Sequence, residues 1–241
     1  MKIVKGFHGE WNMGSPGGWE YQRIAQMLGK MAWELIQQAV EVGVEVDFDH
    51  PQINAVPGFA RMLLRAHKNR HGTNPVHAVL LAESETLDVV LENKNFVDYL
   101  NSFSGVRASL AGPEHLALKN GKVICKGTEA TVIFMDFNLD TLVKIGQETD
   151  VEPIKQAIKQ GILVNPRGME PLGAKGMFEI LTGETGISLS EETRLHTPWT
   201  RQFSRRRTTD PDGNDVDDLV EWTAENWPAL VLKPAHGYSG H

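Results

Sequence analysis

Val76-His-Ala-Val-Leu-Leu-Ala82 is a nearly continuous apolar run. A strand with one wet face alternates apolar and polar residues. A run without alternation reads as a strand covered on both faces, as in a parallel sheet. Thr131-Val-Ile-Phe-Met-Asp136 repeats the pattern and ends on a carboxylate. Between the two lie a helical stretch carrying Leu87, Val90, Leu91, Phe96, Val97 and Leu100 up to Gly105, and a short strand over Val106–Leu110. Strand, helix, strand, with polar residues where strands end, predicts an α/β protein with an open, mostly parallel, Rossmann-like sheet.

Upstream, residues 2–7 read as a short strand and 11–18 as a glycine- and proline-rich loop. Ile24, Met27, Leu28, Met31, Leu35, Ile36, Ala39 and Val40 have helical spacing, and Gly43 is a natural stop. Val44–Phe48 alternates and reads as a strand; Pro57–His67 reads as a helix. Downstream, Pro113 opens a short helix, and Lys122–Cys125 follows the Asn120-Gly121 turn as a strand. Asn138 can cap a helix from Leu139, and a helix over 151–160 ends at Gly161. Ile162–Val164 is a short buried strand, 173–182 a helix, 183–212 loop-rich, and 215–227 an amphipathic helix. Leu230–Lys233 reads as a last strand. The expected organisation is one α/β domain over 1–137, then linker helices and the start of a second domain over 138–241.

Composition narrows the function. The formal charge of −7 argues against general nucleic-acid binding. The one cysteine, Cys125, excludes an internal disulfide and a multi-cysteine zinc site, which makes a reducing cytoplasm the expected compartment. The N-terminus lacks a signal-peptide core, and no apolar run approaches the roughly 20 residues that span a bilayer. No membrane partner is expected, and the composition allows a homo-oligomer.

Several residues could carry chemistry. Lys233 ends an apolar run and leads through Pro234 into a loop holding Gly237, Ser239 and Gly240. A point charge beside glycines suits phosphate, because backbone N–H groups can approach the oxygens. Asp136 sits where open sheets collect ligands and could hold a substrate amine or orient a basic group; the other reading is a helix cap shared with Asn138. Asn165 ends the 162–164 strand, and Lys175 follows near a helix start, where a phosphate would also find helix N–H groups; a solvated lysine is the plainer alternative. Arg201 could grip a carboxylate or phosphate in two-pronged fashion, whereas Arg205–Arg207 reads as a solvated face. His67 and His71 read as exposed histidines rather than metal ligands, since Lys68 stands where a zinc hydrolase needs glutamate. His8 and Glu10 follow a strand into a glycine-rich loop and are candidate substrate contacts. Asp47 and Asp49 have the Asp-x-Asp form of metal-bridging transferases, with a solvent-facing pair as the plainer reading.

Three segments in order resemble the ATP-grasp superfamily, closest to the glutathionylspermidine-synthase-like and circularly permuted ligases. Val132-Ile-Phe-Met-Asp136 looks like the strand that ends the pre-ATP-grasp domain. Gln160-Gly-Ile-Leu-Val-Asn165-Pro, with Gly173-Ala-Lys175-Gly-Met-Phe-Glu-Ile-Leu-Thr182, looks like the family's strand, Asn and Lys-bearing helix. Leu230-Val-Leu-Lys233-Pro-Ala-His-Gly237-Tyr-Ser-Gly240 looks like its nucleotide lysine and glycine-rich loop. The likeness covers residues 131–241 well and 44–130 loosely.

The resemblance implies an ATP-dependent carboxylate–amine ligase working through an acylphosphate. Lys175, Lys233, Gly237, Ser239 and Gly240 would hold ATP. Arg201 would be catalytic, and Asp136, Asn165 and Glu10 would position the small carboxylate and amine substrates. The family places its Mg²⁺ ligands on strands after the glycine-rich loop, so those are expected beyond this chain. The arginine the family often has after the Asp136-like strand end is replaced by Phe137-Asn138. The expectation is therefore the N-terminal portion of a longer ligase, with an incomplete ATP-grasp region and no turnover as it stands. The alternative is a non-catalytic α/β module that binds a small carboxylate, a peptide or a partner chain.

Overall fold

The computed structural model describes residues 14–49, 54–183 and 187–235. They fall into two compact units, divided at Gly168.

The first unit holds α1 (Trp19–Ala39), α2 (Ala55–His71), β1 (Val76–Leu81), α3 (Leu91–Asn101), β2 (Val106–Ala111), β3 (Leu116–Lys119), β4 (Lys122–Cys125), β5 (Thr128–Glu129), β6 (Val132–Met135), α4 (Leu139–Glu148) and α5 (Glu152–Gln160). Its main sheet has the order β2-β1-β6 with every pairing parallel; Val76 sits opposite Val106, and Ala78 opposite Val132. The protein is thus α/β with a small parallel sheet. The expected strand at 162–164 is a single parallel bridge onto β6. Ile133 N–H donates to Ile162 C=O at 2.7 Å, and Val164 N–H donates to Ile133 C=O at 2.9 Å.

The absence of alternation in β1 and β6 has the expected cause. Successive side chains point to opposite faces, and both faces are packed. Val79, Leu81, Ile133 and Met135 join Val123, Ile154 and Ala157 in one core. Ala78, Leu80, Val132 and Phe134 join Ala60, Leu63, Phe96 and Leu100 in the other.

A second, antiparallel sheet has the order β3-β4-β5. Its β3–β4 turn places Asn120 and Gly121 at φ 53° and 74°, the positive values this short hairpin requires. Only β4 is read from the sequence. In β3 only Leu116 is buried, which leaves no pattern to find.

Two expectations for this unit change. Val44–Phe48 forms no strand: the segment runs along α1, with the Phe48 ring against Gly29 and Asp49 bound to Lys30 at 2.6 Å. Val44 and Val46 are 42% and 39% exposed, so the alternation marks no buried face, and only Phe48 packs. The helix expected from Leu87 begins at Leu91, after a 3-10 turn over Ser84–Thr86. Leu91 is 65% exposed, so its apolar character marks no core face.

The second unit contains α6 (Met177–Thr182), α7 (Glu191–His196), β7 (Thr208–Thr209), β8 (Asp215–Val216) and α8 (Leu219–Asn226). β7 and β8 pair antiparallel around a turn held by Asp210, whose carboxylate accepts from the N–H groups of Asp212 and Asn214. The helix expected over 215–227 begins only at Leu219. Residues 215–216 are taken by β8, and Asp218 caps the helix by accepting from Val220 N–H at 2.9 Å. Residues 183–212 are less loop-like than expected, since Ser190 caps α7. Leu230–Lys233 forms no strand, and Val231 and Leu232 are 82% and 61% exposed. Among the described residues no helix is long and apolar enough to cross a membrane.

Candidate functional site

In the second unit, Lys175 stands two residues before α6. Its backbone N–H donates to the C=O of Ala235 at 3.2 Å. Ala235 is two residues past Lys233, so the segments carrying both expected nucleotide lysines are joined by a hydrogen bond. Lys175 is half-buried and Lys233 exposed. Gly237, Ser239, Gly240 and Glu10, with His8 and the 2–7 segment, lie outside the described residues.

Arg201 is built into the same unit. Its Nε donates to Thr208 Oγ1 at 2.8 Å, and its Nη2 to Thr209 Oγ1 at 2.9 Å. Its Nη1 reaches Thr182 C=O and Oγ1, both at 3.1 Å, and Thr200 C=O at 2.9 Å. The guanidinium also lies 5.0 Å from the Trp199 ring centre. The network ties β7 to the C-terminal end of α6, the helix preceded by Lys175. Arg201 also lines an open cavity of about 350 Å³, together with Glu179, Arg207, Thr208, Thr209 and Asp215. Two threonine hydroxyls and two arginines beside two carboxylates suit a zwitterionic or mixed-charge ligand rather than a bare anion.

The basic run is neutralised locally. Arg205 pairs with Asp218 at 2.9 Å, Arg207 pairs with Asp217 at 3.1 Å, and Arg206 pairs with Glu179. Arg205 and Arg207 are the solvated residues expected, with side chains 71% and 77% exposed. Arg206 is instead tucked in. Glu179, which also accepts from Gln202 N–H at 2.7 Å, joins it to α6.

In the first unit, Asp136 follows the carboxyl end of β6, where open sheets place ligands. Its N–H continues the ladder to Leu81 C=O at 2.7 Å. Its carboxylate accepts from Asn93 Nδ2 at 2.8 Å. The cap of α4 comes from Asn138, which accepts from Thr141 N–H at 2.8 Å. Asn93 is 2% exposed, and no donor lies within hydrogen-bond reach of its Oδ1 among the described residues. Buried carbonyl oxygens are rarely left this way. The sequence reading did not single out Asn93. The signal available was position, because residues 93, 96, 97 and 100 share the core face of α3 and only 93 is polar.

Asn165 is brought beside Asp136 and is held within the fold. Its Oδ1 accepts from Met135 N–H at 2.9 Å, and its Nδ2 donates to Met135 C=O at 2.8 Å and Gly14 C=O at 2.7 Å. At 6% exposed it substitutes for a missing neighbour strand at the end of β6. Asp136 and Asn165 belong to the first unit; Lys175, Arg201 and Lys233 belong to the second.

The expectation of two exposed histidines is corrected. His67 is 2% exposed and bonds Thr131 Oγ1 at 2.9 Å and Asn74 C=O at 3.0 Å. His71 is half-buried and stacks on it with ring centres 5.2 Å apart. Burial, then the neighbouring His67 and Arg70, holds His71 below the ordinary imidazole range. Burial does the same to His77, which bonds Glu129 C=O at 3.2 Å and Ser109 Oγ at 3.0 Å. Asp47 and Asp49 serve locally: Asp47 Oδ1 accepts from Asp49 N–H, and Asp49 holds Lys30. Among the described residues no group of three or more His, Cys, Asp or Glu could hold a metal ion. No protein-family model matches the chain, and no curated protein matches its sequence.

Proposed function

We propose that the chain carries the nucleotide-phosphate lysines of an ATP-dependent carboxylate–amine ligase of the ATP-grasp kind. The observation that supports this most is the Lys175 N–H to Ala235 C=O hydrogen bond. It keeps the start of α6 against the segment that follows Lys233, as two lysines serving one polyphosphate require. In this reading Lys175 and Lys233 neutralise charge on the transferring phosphoryl group, and electrostatic stabilisation of that group is the main catalytic effect.

The substrate carboxylate attacks the γ-phosphoryl group of ATP, the bond to the β-phosphate breaks with ADP leaving, and an acylphosphate forms. An amine then displaces phosphate and forms the amide. Arg201, fixed by four threonines, is the residue for the substrate carboxylate. The described residues contain no metal-holding cluster, so none is assigned to Mg²⁺ and no step runs through the ion.

The test is calorimetric titration of ATP with Mg²⁺ into the protein and into Lys175→Ala and Lys233→Ala. Each lysine contact is worth about 1.5–3 kcal/mol, so each variant is expected to bind about 10- to 100-fold more weakly. Equal affinity in all three proteins would overturn the assignment.

A second reading, a non-catalytic module binding a peptide or small carboxylate, has its own support in Asn93 Oδ1. This open acceptor beside Asp136 suits a ligand N–H. A folded protein that binds no nucleotide would favour it.

A further inference from the structure

We propose that α1 is the interface of a two-fold homodimer, formed by its apolar stripe packing against the same stripe of a second copy. The helix packs onto its own chain through the wrong face for an amphipathic helix. Successive residues turn by about 100°, so 22, 26, 29 and 30 share one side and 21, 24, 28, 31 and 35 the opposite one. The first side meets the rest of the unit. Gln22 Oε1 accepts from Ala55 N–H at 3.2 Å, Gln26 Nε2 donates to Phe48 C=O, the Phe48 ring lies on Gly29, and Lys30 binds Asp49. The second side is open: Tyr21, Ile24, Leu28, Met31 and Leu35 are 80%, 38%, 55%, 56% and 66% exposed. An isolated surface leucine needs no explanation, but a contiguous stripe along a 21-residue helix does.

Three observations point to a second copy. The apolar positions 21, 24, 28, 31 and 35 alternate steps of three and four, the spacing that lets two helices interlock along a common seam. Ala25, Ala32 and Ala39 recur every seven residues along one flank, so a partner helix can approach closely. The seam itself carries no charge, and Glu20 and Arg23 at its start pair with each other. A charged partner therefore gains nothing there, whereas an equal neutral stripe does. Five large side chains that each bury roughly 100 Å² remove roughly 1,000 Å² over two copies, the lower bound of a specific interface. Identical patches facing across a two-fold axis are the commonest closed arrangement.

The experiment is sedimentation equilibrium of the whole chain from about 1 to 200 µM, a range matched to an interface of this size. It compares the protein with Leu28→Glu, Leu35→Ala and, as a control, Val89→Glu, an exposed apolar site in the turn before α3 (71% exposed). Circular dichroism checks that each variant is folded. The expected result is a dimer that Leu28→Glu abolishes, that Leu35→Ala weakens by about tenfold, and that Val89→Glu leaves intact. A monomer throughout the range overturns the proposal, as does a dimer indifferent to Leu28→Glu and Leu35→Ala. A dimer lost equally in Val89→Glu also overturns it.

Discussion

The two units are held together by different forces. In residues 14–167 the central strands are buried on both faces, and two apolar clusters flank the sheet. Among the described residues of 168–235 the buried apolar ones are Phe178, Val216 and Leu219, and Arg201 with its threonine partners ties the elements together. Apolar burial is forgiving of small displacements. A hydrogen-bonded guanidinium is not, because each lost partner leaves a polar group unmet. The difference predicts which substitutions each unit tolerates.

The largest effect is expected in the sheet. Phe134→Ala, at a position 1% exposed, should cost about 3–5 kcal/mol in urea unfolding, and a cost below about 1 kcal/mol would contradict the packing described. Next is Arg201→Ala, which should cost about 2–3 kcal/mol. Hydrogen exchange should locate that loss in residues 177–182 and 208–216 and leave β1 and β6 unchanged. Arg201→Lys should not restore protection, since an ammonium cannot span four partners. Loosening of both units alike would erase the contrast.

Gly161→Ala ranks third. Gly161 ends α5 at φ 64°, and an added Cβ would meet the Arg70 guanidinium. A loss of about 1–2 kcal/mol is expected from the strained φ and the clash.

These residues also show which features of each unit are legible in the sequence and which are not. Continuous apolar runs gave away β1 and β6, and Gly161 marked the end of α5, because burial and backbone conformation leave local traces. Arg201 was noticed only as an arginine. Its partners lie at 182, 200, 208 and 209, and no short-range pattern announces such a set. Val44–Phe48 alternates as a strand does yet pairs with nothing among the described residues, because Val44 and Val46 face solvent and only Phe48 packs, against Gly29. Asn165 was legible as a strand-end residue, but its bonds to Met135 and Gly14 depend on a residue 151 positions away. Asn93 is legible as a polar residue on an apolar helix face, a fainter signal than the apolar runs on either side of it.

A further stability effect concerns pH. His77 is neutral in the fold, with its ionisation pushed below the usual 6.5 chiefly by burial. Its contribution is therefore complete above about pH 6.5 and lost as the pH falls through the depressed value, because the unfolded chain takes up the proton first. The unfolding free energy measured in urea should fall from pH 7 to pH 5, by at most about 1.4 kcal/mol per pH unit for one histidine, and His77→Gln should flatten the slope. An unchanged slope would assign the effect to other groups.

Lys233→Ala should leave both units as stable as before, since its side chain is exposed. That separates binding from folding and makes the variant the most direct probe of the nucleotide reading. The decisive measurement is calorimetric titration of ATP with Mg²⁺ into the protein and into Lys233→Ala. The account predicts saturable binding that the substitution weakens by about 10- to 100-fold with no change in unfolding midpoint. Binding of equal strength in both, or none in the folded protein, would contradict it.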